Sequence, residues 1–313
     1  MKCPLCFSKN TQFFAEKNTY RFYRCIHCKT ICLDSLPSQN QLNSYYSKQF
    51  SYTDGFLNES VIRNRSSSVL NILKRYAPHA KTLCDVGSGY GFFLDEAQKA
   101  GYSTLGIEPS KKLALHAQKR YSISIYRGSL EHYINNEKRR FDVVTCIHVI
   151  EHVPHPKQFI SQLLKLVKPG GILFLETPNS DSHLLYAEKE QYTFLIPPDH
   201  LWLFSHYSIQ SILPHNFEII FRNTYSYSEH FMGIMKSVGK QLLPHSPSNK
   251  NEILKQVPYD THIKPQALSV SKKLKYYFFD CLIAPLFTGM LNQYHKGSIL
   301  ELCIRKKEGK SGL

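Results

Sequence analysis

The sequence has no block of like charge, no internal repeat and no low-complexity tract. Charged residues make up 20% and hydrophobic residues 42% of its 313 positions. Such a chain can bury a core, which excludes wholesale disorder. Its length suits one large domain with a small appendage. Acidic side chains are in short supply: 24 Asp and Glu face 39 Lys and Arg, a formal net charge of +15. That deficit favours anionic partners, namely nucleic acid, phosphorylated sugars or a membrane surface. The opening residues MKCPLC lack an apolar core of the signal-peptide kind. The sequence therefore predicts a cytoplasmic protein. The nine cysteines do not form a disulfide framework: four sit in two CxxC pairs, and Cys84 and Cys146 lie in apolar runs. This usage suits a reducing compartment and metal binding.

From Lys81 onward, apolar runs of strand length alternate with amphipathic stretches. The strands read as Thr82–Val86, Ser103–Ile107, Ser122–Tyr126, Phe141–Ile147, Ile172–Glu176, Phe217–Asn223 and Ser298–Arg305. Lys111–Arg120 and Pro156–Val167 read as helices between them, and Val61–Tyr76 as a helix before them. Alternation of this kind predicts an α/β fold, a parallel sheet covered on both faces. The expected organisation is a metal-binding module at 1–35, a linker and helix at 36–80, and a main domain at 81–313. That domain carries an insertion at about 225–296, which is long for a simple connection.

The most informative stretch is Asp85-Val86-Gly87-Ser88-Gly89-Tyr90-Gly91, between an apolar strand and an amphipathic helix. The G-x-G-x-x-G spacing of a dinucleotide site is absent; the glycines follow G-x-G-x-G instead. Asp85 stands two residues before the first glycine. Its carboxylate would repel a pyrophosphate but can neutralise an amino group. Glu108 ends the next apolar run. Its two oxygens can accept hydrogen bonds from both hydroxyls of a ribose.

Four motifs in order carry a family resemblance: the Asp85–Gly91 loop, Glu108, Phe141-Asp142-Val143-Val144, and Lys168-Pro169-Gly170-Gly171. Together they resemble the class I S-adenosylmethionine-dependent methyltransferases. The resemblance implies a Rossmann-like seven-stranded sheet with helices on both faces, and S-adenosyl-L-methionine as cofactor. It also implies contacts with that cofactor from Asp85, Gly87, Ser88, Gly89, Gly91 and Glu108. Pro109 would flank the adenine, Ser129 and Leu130 would face its edge, and Ile147 and His148 would lie beside the sulfonium.

Methyl transfer from a sulfonium needs alignment and exclusion of water. An oxygen acceptor also calls for a base. Glu151-His152-Val153-Pro154 resembles the EHVP signature of the ubiquinone-pathway O-methyltransferases and their relatives. Glu176-Thr177-Pro178-Asn179 and Asp199-His200-Leu201-Trp202-Leu203-Phe204-Ser205 resemble a polysaccharide-associated subgroup. The candidate catalytic groups are His200, His152, Glu151 and Asp199, with Asp199 orienting His200 or binding a sugar hydroxyl. The expected acceptor is a hydroxyl or amine of a sugar, glycan precursor or other small metabolite, phosphorylated or nucleotide-linked forms included. Two other readings stand beside it: methylation of RNA, and a non-enzymatic cofactor-binding accessory or adaptor.

Cys3-Pro4-Leu5-Cys6 and Cys25-Ile26-His27-Cys28 give C-x2-C-x18-C-x2-C. Four thiolates so spaced suit tetrahedral, structural zinc, a zinc ribbon. Tyr20–Arg24 reads as a hairpin strand of that ribbon, and Cys32 as core, with His27 or Cys32 able to substitute as ligand. Lys272, Lys273 and Lys275 precede an aromatic-rich stretch, Tyr276–Phe287. It reads as a helix packed on the core or on a second copy, or else as a peripheral membrane contact. Asp280 and Pro285 argue against a membrane-spanning helix there.

Overall fold

The computed structural model describes residues 1–38, 41–42, 59–226 and 292–307. The aromatic stretch 276–287 and most of the expected insertion lie outside the described residues. Among the described residues no helix is long and apolar enough to cross a membrane.

A small sheet comes first in the chain, with β1 (Thr11–Lys17), β2 (Tyr20–Cys25) and β3 (Ile31–Leu33). Helix α1 (Glu59–Tyr76) follows. Then strands and helices alternate: β4 (Thr82–Val86), α2 (Phe92–Lys99), β5 (Ser103–Glu108), α3 (Lys111–Tyr121), β6 (Ile125–Arg127), α4 (Leu130–Asn136), β7 (Phe141–Ile147), α5 (Pro156–Lys165) and β8 (Val167–Pro178). The chain continues through α6 (His183–Glu188), β9 (Trp202–Leu203), α7 (His206–Ile212), β10 (Phe217–Tyr225) and β11 (Ile299–Lys306).

Seven strands form the main sheet in the order β10-β11-β8-β7-β4-β5-β6. Period-two alternation decides what each face buries. Leu83, Val143, Ile172 and Phe174 point into one apolar cluster, with Val69 and Leu73 of α1. Their neighbours Cys84, Val144, Leu173 and Leu175 point into the other. Helix α5 shows the complementary pattern, burying Pro156, Ile160, Leu163 and Leu164 on one side.

Three details depart from the sequence reading. The sheet is mixed, because β11 runs antiparallel to both β8 and β10. The third strand of the sheet starts at Ile125 rather than Ser122, since Ser122 takes a left-handed conformation that ends α3. β8 begins earlier than expected, at Val167, because the Lys168–Gly171 segment is already part of the strand. Asp142 fastens that corner: its carboxylate accepts from the Thr82 amide at 2.8 Å and from Lys168 Nζ at 2.9 Å.

Strand order reverses beside β4, whose neighbours are β5 and β7. Chain connections diverge there, leaving a crevice at the carboxyl ends of the strands, the usual ligand position in open α/β sheets. The small sheet has the order β1-β2-β3-β9, so its fourth strand comes from far along the chain. Its core is continuous with one face of the main sheet: Cys3, Phe22, Ile31, Trp202 and Leu175 belong to one buried cluster.

Candidate functional site

The glycine loop joins β4 to α2 at the crevice. Gly87 has φ +79°, and a side chain there would put a Cβ 2.4 Å from Val149 Cγ2. Only glycine lets this loop pack on the turn that follows β7. Gly89 also has a left-handed backbone, φ +53°, but open space lies where its side chain would be. Nearby, the Ser88 hydroxyl is buried without a hydrogen-bond partner.

Glu108 reaches over this loop. One carboxylate oxygen accepts from the Gly89 amide and the other from the Ser110 amide, each at 2.8 Å. Both oxygens are thus already engaged by backbone, and each keeps a second lone pair for a ribose hydroxyl. Burial raises the Glu108 pKa, against the pull of those two amides. Asp85 is buried as well, and Oδ1 accepts from the Thr145 hydroxyl at 2.6 Å. Burial pushes its pKa up to about 7; Thr145 opposes the shift and the Glu108 charge adds to it. Two buried carboxyl groups around an open glycine turn fit a ligand that carries an amino group and a ribose. They do not fit a pyrophosphate. Farther along the sheet edge, Pro109 is exposed. Ser129 caps α4, accepting from the His132 amide at 3.2 Å, so its hydroxyl serves the helix first.

The turn after β7 holds an ionic chain. His148 has φ +53°, unusual for a residue with a side chain. Its Nδ1 lies 3.1 Å from Glu151 Oε1 and its Nε2 3.3 Å from Glu176 Oε1. Burial works against the imidazolium, but the two carboxylates outweigh it and raise the pKa to about 10. Both ring N–H groups face carboxylates, so only the ring face and backbone are left for a ligand. Glu151 is fully buried; its other oxygen accepts from the Thr177 hydroxyl at 3.0 Å. Expected among the catalytic groups, Glu151 is thus committed to His148 and Thr177.

A His148 pKa raised from 6.5 to about 10 stabilises the folded chain fully below about pH 6.5, and the gain is lost as pH rises through about 10. His148→Gln is therefore expected to lower the urea midpoint at about pH 6 by more than at about pH 10.

Sequence reasoning missed Arg65, on α1. Its guanidinium donates to Glu176 Oε2 at 2.7 Å and also pairs with Glu301. It lies over the Tyr225 ring at 4.1 Å, and the Tyr225 hydroxyl donates to Glu176 at 2.8 Å. Glu176 and Glu301 are cross-strand partners on β8 and β11, each 1% exposed. A glutamate inside each apolar strand was the available signal that a buried cation must exist.

Beyond this chain lie two histidines. His152 Nδ1 is 2.9 Å from the Asp199 carbonyl and 3.1 Å from the Asp199 carboxylate. Both partners are acceptors, so Nδ1 carries the proton and Nε2 keeps its lone pair. Burial lowers the His152 pKa, but the Asp199 and Glu151 charges more than compensate and the net shift is upward. His200 is oriented by the Phe194 carbonyl, 2.7 Å from Nδ1. The sequence reading pairs Asp199 with His200; in the structure the carboxylate is taken up by His152. Burial and the neighbouring His152 lower the His200 pKa to about 4, leaving a neutral ring. The two imidazoles meet edge to face, centroids 4.8 Å apart. Glu151, His152 and His200 bring ligand-capable atoms within 4.8 Å of one another. The hydrogen bonds that already hold Glu151 make this an acid–base cluster first. A separate groove of about 520 Å³ lies along β10, lined by His206, His215 and Arg222, away from all of these groups.

Cys3, Cys6, Cys25 and Cys28 place their sulfurs within 4.8 Å of one another. Cys3 and Cys28 are 3.8 Å apart, Cys6 and Cys25 3.5 Å. Zinc–sulfur bonds of about 2.3 Å in a tetrahedron require sulfurs about 3.8 Å apart. The donor set fits zinc. Cys32 is buried outside this set, opposite Trp202 in the small sheet.

The family described as "Methyltransferase domain" matches residues 61–219. A ubiquinone biosynthesis O-methyltransferase of Serratia proteamaculans is 33% identical over 107 residues, 33% of this chain and 44% of that protein. One from Coxiella burnetii is 31% identical over 124 residues, 38% of this chain and 53% of that protein. The chain thus spans about half the length of the curated relatives it matches. The solved SAM-dependent methyltransferase of Archaeoglobus fulgidus aligns with a TM-score of 0.46 at 15% identity, over 84% of this chain and 99% of that one.

Proposed function

The chain belongs to the methyltransferase-domain family, and on that premise we propose that it binds S-adenosylmethionine at the β4–β5 crevice and methylates a hydroxyl of a small-molecule acceptor. The observation that carries this reading is the pair of buried carboxyl groups, Asp85 and Glu108, around the open turn at Gly89. When bound, S-adenosylmethionine supplies a methyl group activated on a sulfonium. Asp85 neutralises the amino group of the ligand, and Glu108 holds its ribose through the lone pairs left by Gly89 and Ser110. Gly87, Ser88, Gly91, Pro109, Leu130 and Ile147 complete that side.

The acceptor side is the His152–Asp199 pair. Asp199 fixes the ring with the proton on Nδ1, so Nε2 can take the proton of an acceptor hydroxyl. His200, neutral and buried, offers a second acceptor nitrogen beside it. A base so placed is required by a hydroxyl and is superfluous for a neutral amine. Sugars, glycan precursors and phenols all meet this requirement. Zinc in the four-cysteine site is structural, because four protein ligands close the shell.

The test begins with the cofactor. Calorimetry should show S-adenosylmethionine binding, weakened about tenfold or more in Glu108→Ala, which removes a charge-assisted acceptor. Methyl-labelled cofactor is then incubated with pools of sugar nucleotides, phenols and RNA. Label is expected in a hydroxyl-bearing small molecule. Label that appears in RNA alone overturns the acceptor assignment.

A further inference from the structure

The four-cysteine module and the acceptor-side residues are joined more tightly than a linked pair of domains would need. β3 pairs with β9, Ile31 opposite Leu203 and Cys32 opposite Trp202. The Leu33 amide donates to the Leu201 carbonyl at 3.2 Å, and the Leu201 amide donates to the Glu151 carbonyl at 2.9 Å. Two backbone bonds thus lead from the cysteine module to the turn that carries His152. Side chains add to this bridge. The Thr30 hydroxyl donates to the Leu203 carbonyl at 3.0 Å. The Ser205 hydroxyl donates to the carbonyl of Cys28, itself a candidate ligand, at 2.9 Å. Trp202 Nε1 donates to the Val153 carbonyl at 2.9 Å. Leu201, Leu203 and Phe204 are fully buried in the same joint.

The cofactor side is braced elsewhere. Asp85 bonds to Thr145, the Gly87 amide to the Ile107 carbonyl, and the Gly89 amide to Glu108. These bonds run within the large sheet.

We propose that metal bound at Cys3, Cys6, Cys25 and Cys28 positions the acceptor half of the site, acting through β3 and the 201–205 segment, and leaves the cofactor half unaffected. Thr30 and Trp202 are then positioning residues: they order the segment that carries Asp199 and His200 and the turn that carries His152. Without metal, the two CxxC turns lose their cross-link, β3 loses its anchor, and the 201–205 segment loses the strand it pairs with. The inference rests on the proposed function only for which half is called acceptor and which cofactor.

Trp202 is the sole tryptophan of the chain and is 1% exposed, so its emission reports this joint directly. The experiment uses the full chain with zinc measured at one per molecule, then stripped by a chelator. Three results are expected on stripping: Trp202 emission shifts to the red, amide exchange at Leu201 and Leu203 accelerates about tenfold or more, and S-adenosylmethionine affinity stays within about twofold. Emission and exchange that do not change on metal loss overturn the proposal. So does a parallel collapse of cofactor affinity, which would mean the module supports the whole fold. A chain purified without stoichiometric zinc overturns it as well. Thr30→Val tests the joint without touching a ligand. It should retain zinc while exchange across 201–205 rises several-fold; unchanged exchange there counts against the proposal. Failure of the zinc-loaded wild type to bind S-adenosylmethionine would sink the proposed function, while the emission and exchange measurements would still decide the coupling.

Discussion

Replacing His152 by Gln is expected to lower methyl-transfer turnover by about 10²–10⁴-fold, the usual worth of a positioned general base. Cofactor affinity should be unchanged, because the contacts of His152 are with Asp199 and His200 and not with Asp85 or Glu108. The measurement is kcat and KM with the acceptor returned by the labelling screen. Asp199→Asn should follow in the same direction, since Asp199 holds the His152 ring at 3.1 Å and raises its pKa. His200→Gln is expected to cost about tenfold only: a neutral ring with a pKa of about 4 is a weak base at neutral pH. A large loss in His200→Gln with little loss in His152→Gln would reverse the two roles.

Arg65→Met should destabilise the fold by about 3–5 kcal/mol, because it leaves buried carboxylates without their cation. Glu176 and Glu301 stand opposite each other on adjacent strands, where like charges repel. Arg65 bridges them; the Asn223 amide and the Tyr225 hydroxyl add neutral donors at 2.7 Å and 2.8 Å. Without Arg65, His148 still faces Glu176, but Glu301 has no remaining ionic partner among the described contacts. The check is urea denaturation at neutral pH, with Arg65→Met/Glu301→Gln as a second variant. The double variant should recover more than half of the loss. Equal stability of Arg65→Met and wild type would show that the carboxylates are protonated in place. That outcome would contradict the strongly lowered Glu176 pKa of about 2, which survives burial through His148 and Arg65.

The grouping of the glycine loop with Asp85 and Glu108 was legible in the sequence because its geometry is local. Asp85, Gly87, Gly89 and Glu108 all fall in two successive strand–turn–helix units, so spacing alone sets their relation. The cysteine cluster was legible for the same reason: two short turns each present two sulfurs. The proposed acceptor half depends on contacts between distant segments. His152 meets the Asp199 backbone across 47 positions, and Arg65 meets Glu176 across 111 and Glu301 across 236. Adjacency in the motif suggested that Asp199 would orient its neighbour His200; the fold turns the carboxylate to His152 instead. The reversed direction of β11 was equally hidden, since an apolar strand reads the same in either orientation. Burial of β9 against the cysteine module had no signature beyond a short apolar run.

The pairing of β10 with β11 has a bearing on how this chain can diversify. Tyr225, at the end of β10, and Ile299, at the start of β11, are register partners, and Ile299 is also the partner of Pro178 at the end of β8. The intervening stretch of chain therefore leaves and re-enters the sheet at one point, on the same edge as the His148–His152 turn. Closing a loop between two adjacent points costs only about 0.6 kcal/mol for each doubling of its length. The length of chain between them can therefore change without shifting a strand partner. The strand partners and the Asp85–Glu108 pair can thus stay fixed whatever the length of chain between those two ends.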